Sequence, residues 1–481
     1  MENDWANSSA IGGIDLHLDL TPSEGKRAGL TRELRAAIRS GRLGPGTRLP
    51  PSRALAADLA MARNTVSEAY AELVAEGWLV ARQGSGTRVA QRSAASAPSG
   101  SSLAPAAVPP RSPALPPSRP RYNLLQGSAD AASFPRTDWL RSARRALSAA
   151  PNDAFGPGDP QGRVELRRAL TDYLARARGV RVDPGRVVVC SGFGHALELL
   201  SGLLGDVVAV EEYGLQYHRG LLRSAGLDTP ALPIDGGGAR IEALRSTDAR
   251  TVLLTPAHQF PTGGPLRPER RVALVDWAAE ADGLILEDDY DGEFRYDRQP
   301  VGAVQCLDPE RVVYLGTTSK SLSPAVRIGW LVVPERLVRP VVDVKGDREL
   351  RTSVLEQLTL ADYLESGGYD RHVRRMRRRY RDRRDRLVAV LREYVPQVRV
   401  SGIAAGLHAV VDLPPDADEA QVVAEAERAG LTLDGLAGYR HPDSTASLRP
   451  AVVVGYGTPP EHAYPGALEL LCRILRRSLG R

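Results

Sequence analysis

Cysteine, lysine and long apolar runs are all scarce in this chain of 481 residues, and each scarcity narrows what the chain can be. The three cysteines, Cys190, Cys306 and Cys472, are far apart and form no CxxC pair. Neither a disulfide framework nor a cysteine-based zinc site is expected, and no metal site of another kind is indicated. No uninterrupted apolar span is long enough for a membrane helix, and Met1 opens no signal-peptide pattern, so the expectation is a soluble cytoplasmic protein with no membrane partner. Only Lys26, Lys320 and Lys345 carry an amine side chain, arginine supplying the other positive charges. Any chemistry that needs a lysine therefore has three candidates.

What is present is ordinary in bulk and uneven in placement. Hydrophobic residues make up 42% and charged residues 25%, which are globular values, and the length exceeds what one growing core supports, so two or more domains are expected. Residues 26–92 hold twelve Arg or Lys against five Asp or Glu, a local +7 that leaves −2 for the remainder of the net +5. A small basic segment on a near-neutral body suits a polyanion-binding module, because phosphate neutralisation dominates non-specific nucleic-acid binding.

Residues 93–121 are almost entirely Ala, Ser, Pro and Arg and cannot bury enough apolar surface to fold, so they read as a linker. Before it, Leu30, Leu34 and Ile38 recur at helical spacing, Ser52 can cap a second helix carrying Leu55 and Leu59, and Val66, Tyr70, Leu73 and Val74 line one face of a third. The third stops at Gly77, and WLVARQGSGTRVA reads as two strands around a Gly84-Ser85-Gly86 turn. That order is a winged helix-turn-helix, expected over residues 21–92. After the linker, over 122–481, short runs such as RVVVCSG, VVAVEE, TVLLTPAHQ, GLILEDD and RVVYLGTTSK alternate with helical patterns, which predicts a mostly parallel α/β sheet covered on both faces. The polar residues that break these runs, Ser191, His258, Asp288 and Lys320, fall at strand ends, where such folds collect ligand groups.

On the third helix Arg63, Asn64, Thr65 and Ser67 occupy the first turn, where a recognition helix meets base edges and phosphates, and the wing offers Arg82, Gln83, Thr87 and Arg88 for backbone contact. A three-helix domain with a hairpin would equally serve to bind a protein, but the basic surplus favours double-stranded DNA. The segment from Gly41 to Val89 closely resembles the GntR family of bacterial repressors over its whole DNA-binding unit. That resemblance implies DNA contact by Ser52, Arg53, Arg63, Asn64, Thr65 and Gly84.

The later motifs fit the coenzyme pyridoxal 5'-phosphate (PLP), whose chemistry needs a free amine to form an imine, a carboxylate to keep the ring nitrogen protonated, a donor for the ring oxygen and an anion cradle. Lys320 offers the amine. Arg327, seven residues on, can return to the phosphate with the Thr317 and Ser319 hydroxyls. Asp288 ends an apolar strand, where a buried ring-nitrogen partner would explain it, and Tyr290 can reach the ring oxygen. CSGFGHALELL supplies Ser191 and the Gly192 and Phe193 amides at a helix start. Singly, each motif has a plainer reading: glycine turns join strands to helices in many α/β proteins, EDDYDGE is equally a solvated acidic loop or a divalent-metal site, and a lone lysine is often structural. Their conjunction in this order, each at a strand end, is what points to PLP.

Residues 122–481 resemble fold-type I aminotransferases and, in detail, the MocR branch of the GntR family, on segments including GPGDPQGRVELRRAL, TPAHQFPTG, EDDYDGEFRY and TTSKSLSPAVRIGW. The resemblance implies an α/β fold in which a winged helix is linked to a PLP-dependent aminotransferase-like domain. It makes Lys320 the Schiff-base lysine, Asp288 the ring-nitrogen partner, Tyr290 the ring-oxygen donor and Arg327 a phosphate ligand, with a head-to-tail homodimer expected. It also reads the arginine-rich run Arg371 to Arg386 as a helix of the large domain rather than a second DNA site. His258 and His408 are expected to line the cofactor pocket or core. The pattern departs in places. Val453 stands where this branch carries a carboxylate-clamping arginine, with Arg449 four residues earlier as a possible substitute. Leu215 stands where an aromatic stacks on the ring, leaving Tyr213 and Tyr217 as replacements. Pro157 and Phe260 occupy positions usual for Tyr and Asn. A pocket that keeps the PLP-holding groups and lacks the clamp resembles the PdxR subgroup, which implies a regulator sensing PLP and controlling its synthesis. A regulator exchanging an amino compound on Lys320 and an active aminotransferase are the alternatives.

Overall fold

The computed structural model describes residues 25–82, 86–90, 120–296, 302–348, 352–445 and 449–480. Most of the expected linker and the wing residues Gln83 and Gly84 lie outside the described residues. The chain divides into two compact units, Met1–Ala114 and Leu115–Arg481. Among the described residues no helix is long and apolar enough to cross a membrane.

In the first unit, helices α1 (Lys26–Arg39), α2 (Ser52–Asp58) and α3 (Arg63–Ala75) precede the antiparallel pair β1 (Leu79–Arg82) and β2 (Gly86–Val89). Leu30, Leu34 and Ala37 lie one helical turn apart, and they bury against Leu55, Val66, Leu73 and Leu79 in one small core. Gly77 ends the third helical segment at φ +74°, a left-handed conformation that favours glycine. Ser52 does not cap α2. Pro51 is the N-cap, its fixed φ of −55° already aiming the chain into the helix, and Ser52 falls inside the first turn without a capping hydrogen bond.

The second unit is built on a seven-stranded sheet. Its strands, in chain order, are β3 (Val187–Cys190), β4 (Val208–Glu211), β5 (Ala231–Leu232), β6 (Thr251–Leu254), β7 (Leu284–Asp288), β8 (Val312–Thr317) and β9 (Gly329–Val332). Across the sheet they run β3, β9, β8, β7, β6, β4, β5, all parallel except β9, which is antiparallel to both neighbours. Strands β3, β6, β7 and β8 are buried along their whole length, as expected where helices cover both faces. A second sheet of β10 (Arg399–Ser401), β11 (His408–Asp412), β12 (Asp434–Gly435) and β13 (Ala451–Gly455) is antiparallel in the order β10, β11, β13, β12. Helices α4 (Phe193–Leu200) and α5 (Gln216–Ser224) follow β3 and β4.

The arginine-rich run lies in a helix of this unit, α6 (Gly368–Tyr394), whose Tyr369, Val373, Met376, Tyr380, Leu387 and Leu391 are buried. Its Arg379 and Arg383 reach inward to Asp130 and Glu461 at 2.7 and 2.9 Å. Beneath the end of β7, buried Arg178 holds Asp289 at 2.5 and 2.9 Å, and the Tyr314 hydroxyl donates to the same carboxylate at 2.6 Å. Removing one partner of a buried pair strands the other charge, which costs about 3–5 kcal/mol. Arg178→Ala is therefore expected to lower denaturant stability of the second unit by that amount, and unchanged midpoints would show that Asp289 is satisfied without it.

Candidate functional site

The carboxyl ends of five strands, β3, β4, β6, β7 and β8, converge on one cavity of about 140 Å³. Phe193 enters it after β3, Glu211 from the end of β4, Leu254 and Thr255 from the end of β6, Asp288 from the end of β7, and Thr317, Ser319 and Lys320 from the end of β8.

The Lys320 amine donates to the Gly127 carbonyl. Burial lowers its pKa, while the Asp288 and Asp291 carboxylates act the other way. Asp288 is buried, and its carboxyl makes no side-chain hydrogen bond among the described residues. Burial and neighbouring Asp289 hold its pKa well above the usual range, with Lys320 opposing. A carboxyl so placed is costly until a cationic or hydrogen-bonding partner meets it. The Tyr290 hydroxyl lies 3.0 Å from His258 Nδ1, which lies 2.8 Å from an Asp291 oxygen. His258 therefore sits behind the Tyr290 ring rather than in the cavity wall. Thr317 donates to the Ser319 hydroxyl at 2.9 Å, and the Ser319 amide donates back to Thr317 at 3.1 Å.

At the end of β3 the chain turns through Gly192, at φ +118°, into α4. A Cβ on Gly329 would stand 2.8 Å from the Gly192 Cα, so the two glycines let the turn and β9 approach. The Ser191 amide donates to His195 Nδ1 at 3.0 Å, which leaves its hydroxyl available. Arg327 is exposed, in the left-handed region at φ +56°, and has no ionic partner among the described residues. It does not line the cavity.

The departures from the expected pattern resolve individually. Val453 is fully buried in β13, inside an apolar cluster with Tyr213, Phe260, Val410 and Tyr439, and it does not line the cavity, so this position brings no charge to it. Arg449 does not replace the clamp. It is exposed and pairs with Asp412 at 3.4 Å. Tyr213 and Leu215 both line the cavity, whereas Tyr217 is 64% exposed and is no replacement for a stacking ring, because its position on α5 turns it outward. The aromatic pair in the cavity is instead Phe193 with His218, ring centroids 4.2 Å apart. Pro157 is exposed and away from the cavity, and Phe260 lines it. His408 is a core residue whose Nε2 meets the Pro261 carbonyl at 3.0 Å. Gln126, Gly127, Glu211, Thr255, His218 and Arg219 were not singled out from sequence. Glu211 gave the same signal as Asp288, an acid ending an apolar run, and His218 stands one helical turn after Leu215.

In the first unit Arg53, Arg63, Asn64 and Ser67 are exposed, Ser52 and Thr65 half-buried. Arg53 and Arg63 have no ionic partner among the described residues. Arg88 is exposed, and one of its guanidinium nitrogens donates to the Gly46 carbonyl at 3.1 Å.

Two family models match: "Aminotransferase class I and II" over residues 124–434 and "Bacterial regulatory proteins, gntR family" over residues 26–89. A probable rhizopine catabolism regulatory protein, MocR, of Rhizobium meliloti is 36% identical, covering 76% of this chain and 77% of its own. The pyridoxine biosynthesis transcriptional regulator PdxR of Corynebacterium glutamicum is 34% identical over 88% of this chain and 91% of its own. The chain belongs to the MocR type of GntR-family transcription regulators. Among solved structures, a kynurenine aminotransferase of Pyrococcus horikoshii is 25% identical at a TM-score of 0.68, covering 75% of this chain and 92% of its own. The second unit of this MocR-type regulator thus has the fold of a PLP-dependent enzyme family, and the GntR unit is a DNA-binding domain.

Two buried histidines give the second unit a pH signature. Burial lowers His408 and His372 to about 4, below the unfolded value of about 6.5. Their contribution to stability is fully present above that unfolded value and is lost as pH falls toward about 4. NMR titration is expected to find both rings neutral at pH about 6, with denaturant midpoints falling on further acidification. Ring titrations centred near the unfolded value would contradict the burial.

Proposed function

We propose that this regulator binds operator DNA through residues 21–92, holds PLP in the cavity of residues 122–481, and responds to PLP itself, with residues 93–121 as the linker. The observation that carries the reading is the meeting in one cavity of an amine with a lowered pKa, Lys320, and a buried carboxyl, Asp288, that makes no side-chain hydrogen bond among the described residues, with apolar Val453 packed behind the cavity's Tyr213 and Phe260. The residues suit the coenzyme. Asp288 would hold the ring nitrogen, Tyr290, positioned by His258, the ring oxygen, and Ser191, Gly192, Phe193, Thr317 and Ser319 the phosphate, with Arg327 reaching it from outside the cavity wall, where its charge already acts on His195 of α4. When bound, the coenzyme supplies an aldehyde able to condense with an amine.

Without an arginine at position 453, an α-amino acid entering the cavity loses the bidentate pair its carboxylate would have there, which argues against turnover. A relative named for pyridoxine biosynthesis, 34% identical, supports PLP-synthesis genes as the targets. A head-to-tail homodimer follows the fold-type I likeness. On DNA, the exposed Arg53, Arg63, Asn64 and Ser67, with Ser52 and Thr65, would meet the operator, and the wing residues Gln83 and Gly84 its backbone.

PLP added to apo protein is expected to change operator affinity in a DNA-binding titration, while common α-amino acids added to holo protein change it little. An effector acts only by binding one state better than another. An amino acid that shifts both the visible spectrum and DNA affinity, where PLP alone does neither, would replace this reading with the amino-compound sensor. Lys320→Ala is expected to abolish the borohydride-reducible adduct, and its retention would remove Lys320 from the role. Arg63→Ala is expected to cost about 1–3 kcal/mol of specific DNA binding without altering PLP uptake, and an unchanged affinity at matched salt would show that Arg63 does not read the operator.

A further inference from the structure

Among the described residues, four arginines of the second unit are buried: Arg178, Arg219, Arg271 and Arg383. Three sit in the field of a carboxylate. Arg178 holds Asp289 at 2.5 Å, Arg383 holds Glu461 at 2.9 Å, and the Glu287 charge acts on Arg271. Arg219 is the exception. It is 5% exposed, and among the described residues its guanidinium meets carbonyls alone. Nη1 donates to Gly214 at 3.0 Å and to Tyr439 at 3.2 Å, and Nη2 donates to Arg440 at 3.3 Å. Burial and the adjacent Arg223 lower its pKa, with no acidic group acting against them.

A guanidinium carries five N–H donors, so these three contacts leave two uncommitted, and Arg219 contributes to the cavity wall beside His218 and Leu215. Glu211, the acid of the same wall, is engaged elsewhere, accepting from the Thr255 hydroxyl and amide at 2.6 and 3.1 Å. His218 offers no counter-charge. Burial, with Lys320 and Arg219, depresses it to about 3, and it stays neutral. A buried cation without a counter-ion is costly, and the three carbonyls offset this with partial charges only.

We infer that Arg219 is an anion subsite of this cavity, receiving the carboxylate of a small organic acid whose apolar skeleton lies against Tyr213, Leu215 and Phe260. The planar fork of a guanidinium matches a carboxylate, and the three apolar side chains beside it suit the skeleton of a small organic acid better than the strongly hydrated oxygens of a phosphate. The subsite lies on the α5 wall, not on β13, so its ligand enters in a different pose from one clamped at position 453. The inference rests on the coenzyme reading for the occupant beside Lys320.

The test is calorimetric titration of the full-length holo protein with sodium butanoate, with butanamide as its uncharged isostere, and with inorganic phosphate as competitor. Butanoate is expected to bind, and butanamide to bind about ten-fold or more weakly, the worth of one charge-assisted contact. Phosphate is expected not to compete. Arg219→Gln is expected to lose butanoate by a similar factor, and Arg219→Lys to keep part of the affinity. No butanoate binding, equal binding of acid and amide, or undiminished binding by Arg219→Gln overturns the subsite, and competition by phosphate overturns the carboxylate assignment. Should Arg219→Gln fail to fold, the acid-against-amide comparison on the unaltered protein decides alone. The visible absorption of the same holo sample reports separately on the coenzyme, so its absence would count against that reading and not against Arg219.

Discussion

Five carboxyl groups fall within the seven residues Glu287 to Glu293, at the end of the central strand β7 where little water reaches, and much of the second unit is arranged to satisfy them. Glu287 accepts the Val304 and Gln305 amides at 2.8 and 2.9 Å. Asp289 takes Arg178 and Tyr314, and Asp291 takes His258. Glu293 accepts from the Tyr173 and Tyr369 hydroxyls, each at 3.2 Å. Each partner comes from a different part of the chain, so the acids tie helices, strands and loops to one strand end. Among the described residues Asp288 alone is left without such a partner, and it is the one that faces the cavity. An unmet carboxyl surrounded by met ones marks a position kept for something that arrives.

Burial raises Glu287 and Glu293 to about 7, with neighbouring Asp289 adding to the shift of each. The strand end therefore carries less negative charge near neutrality than its composition suggests. That helps explain how a lysine with a lowered pKa persists beside it. A fully ionised cluster would hold the amine protonated more firmly.

Much of this was legible in the sequence because the same physics writes both. Apolar runs ending in a polar residue became strands whose ends meet at the cavity, so Asp288 and Lys320 were legible by position, Thr317 and Ser319 as hydroxyls beside that lysine, and the winged helix by helical spacing and charge, while its GntR character came from the resemblance of its segment to that family. Contacts brought by distant segments were not legible. Nothing in the stretch after the linker announced that Gln126 and Gly127 would reach Lys320, and no pattern separated inward His218 from outward Tyr217, one residue apart on a short helix. Arg449 failed as a substitute clamp for a similar reason. Four residues along the chain is a small separation in sequence, but the strand β13 starts between them, and Asp412 on the neighbouring strand draws the guanidinium away. Ser52 shows the local limit: a capping residue by type, displaced by a proline that fixes the helix start one residue earlier.

The hydrogen bond from Lys320 to the Gly127 carbonyl joins two parts of the molecule with different histories in the chain. Gly127 lies six residues beyond Arg121, where the Pro/Ala/Ser stretch ends, and it adopts φ +99°, with room for a Cβ only 3.4 Å from the amine. An amine engaged there works as a latch on the strand of chain that leads in from the DNA-binding unit. Withdrawing it from that carbonyl leaves the Gly127 acceptor without this donor, so a change at one nitrogen of the cavity is felt at once in the backbone of the segment that enters the second unit.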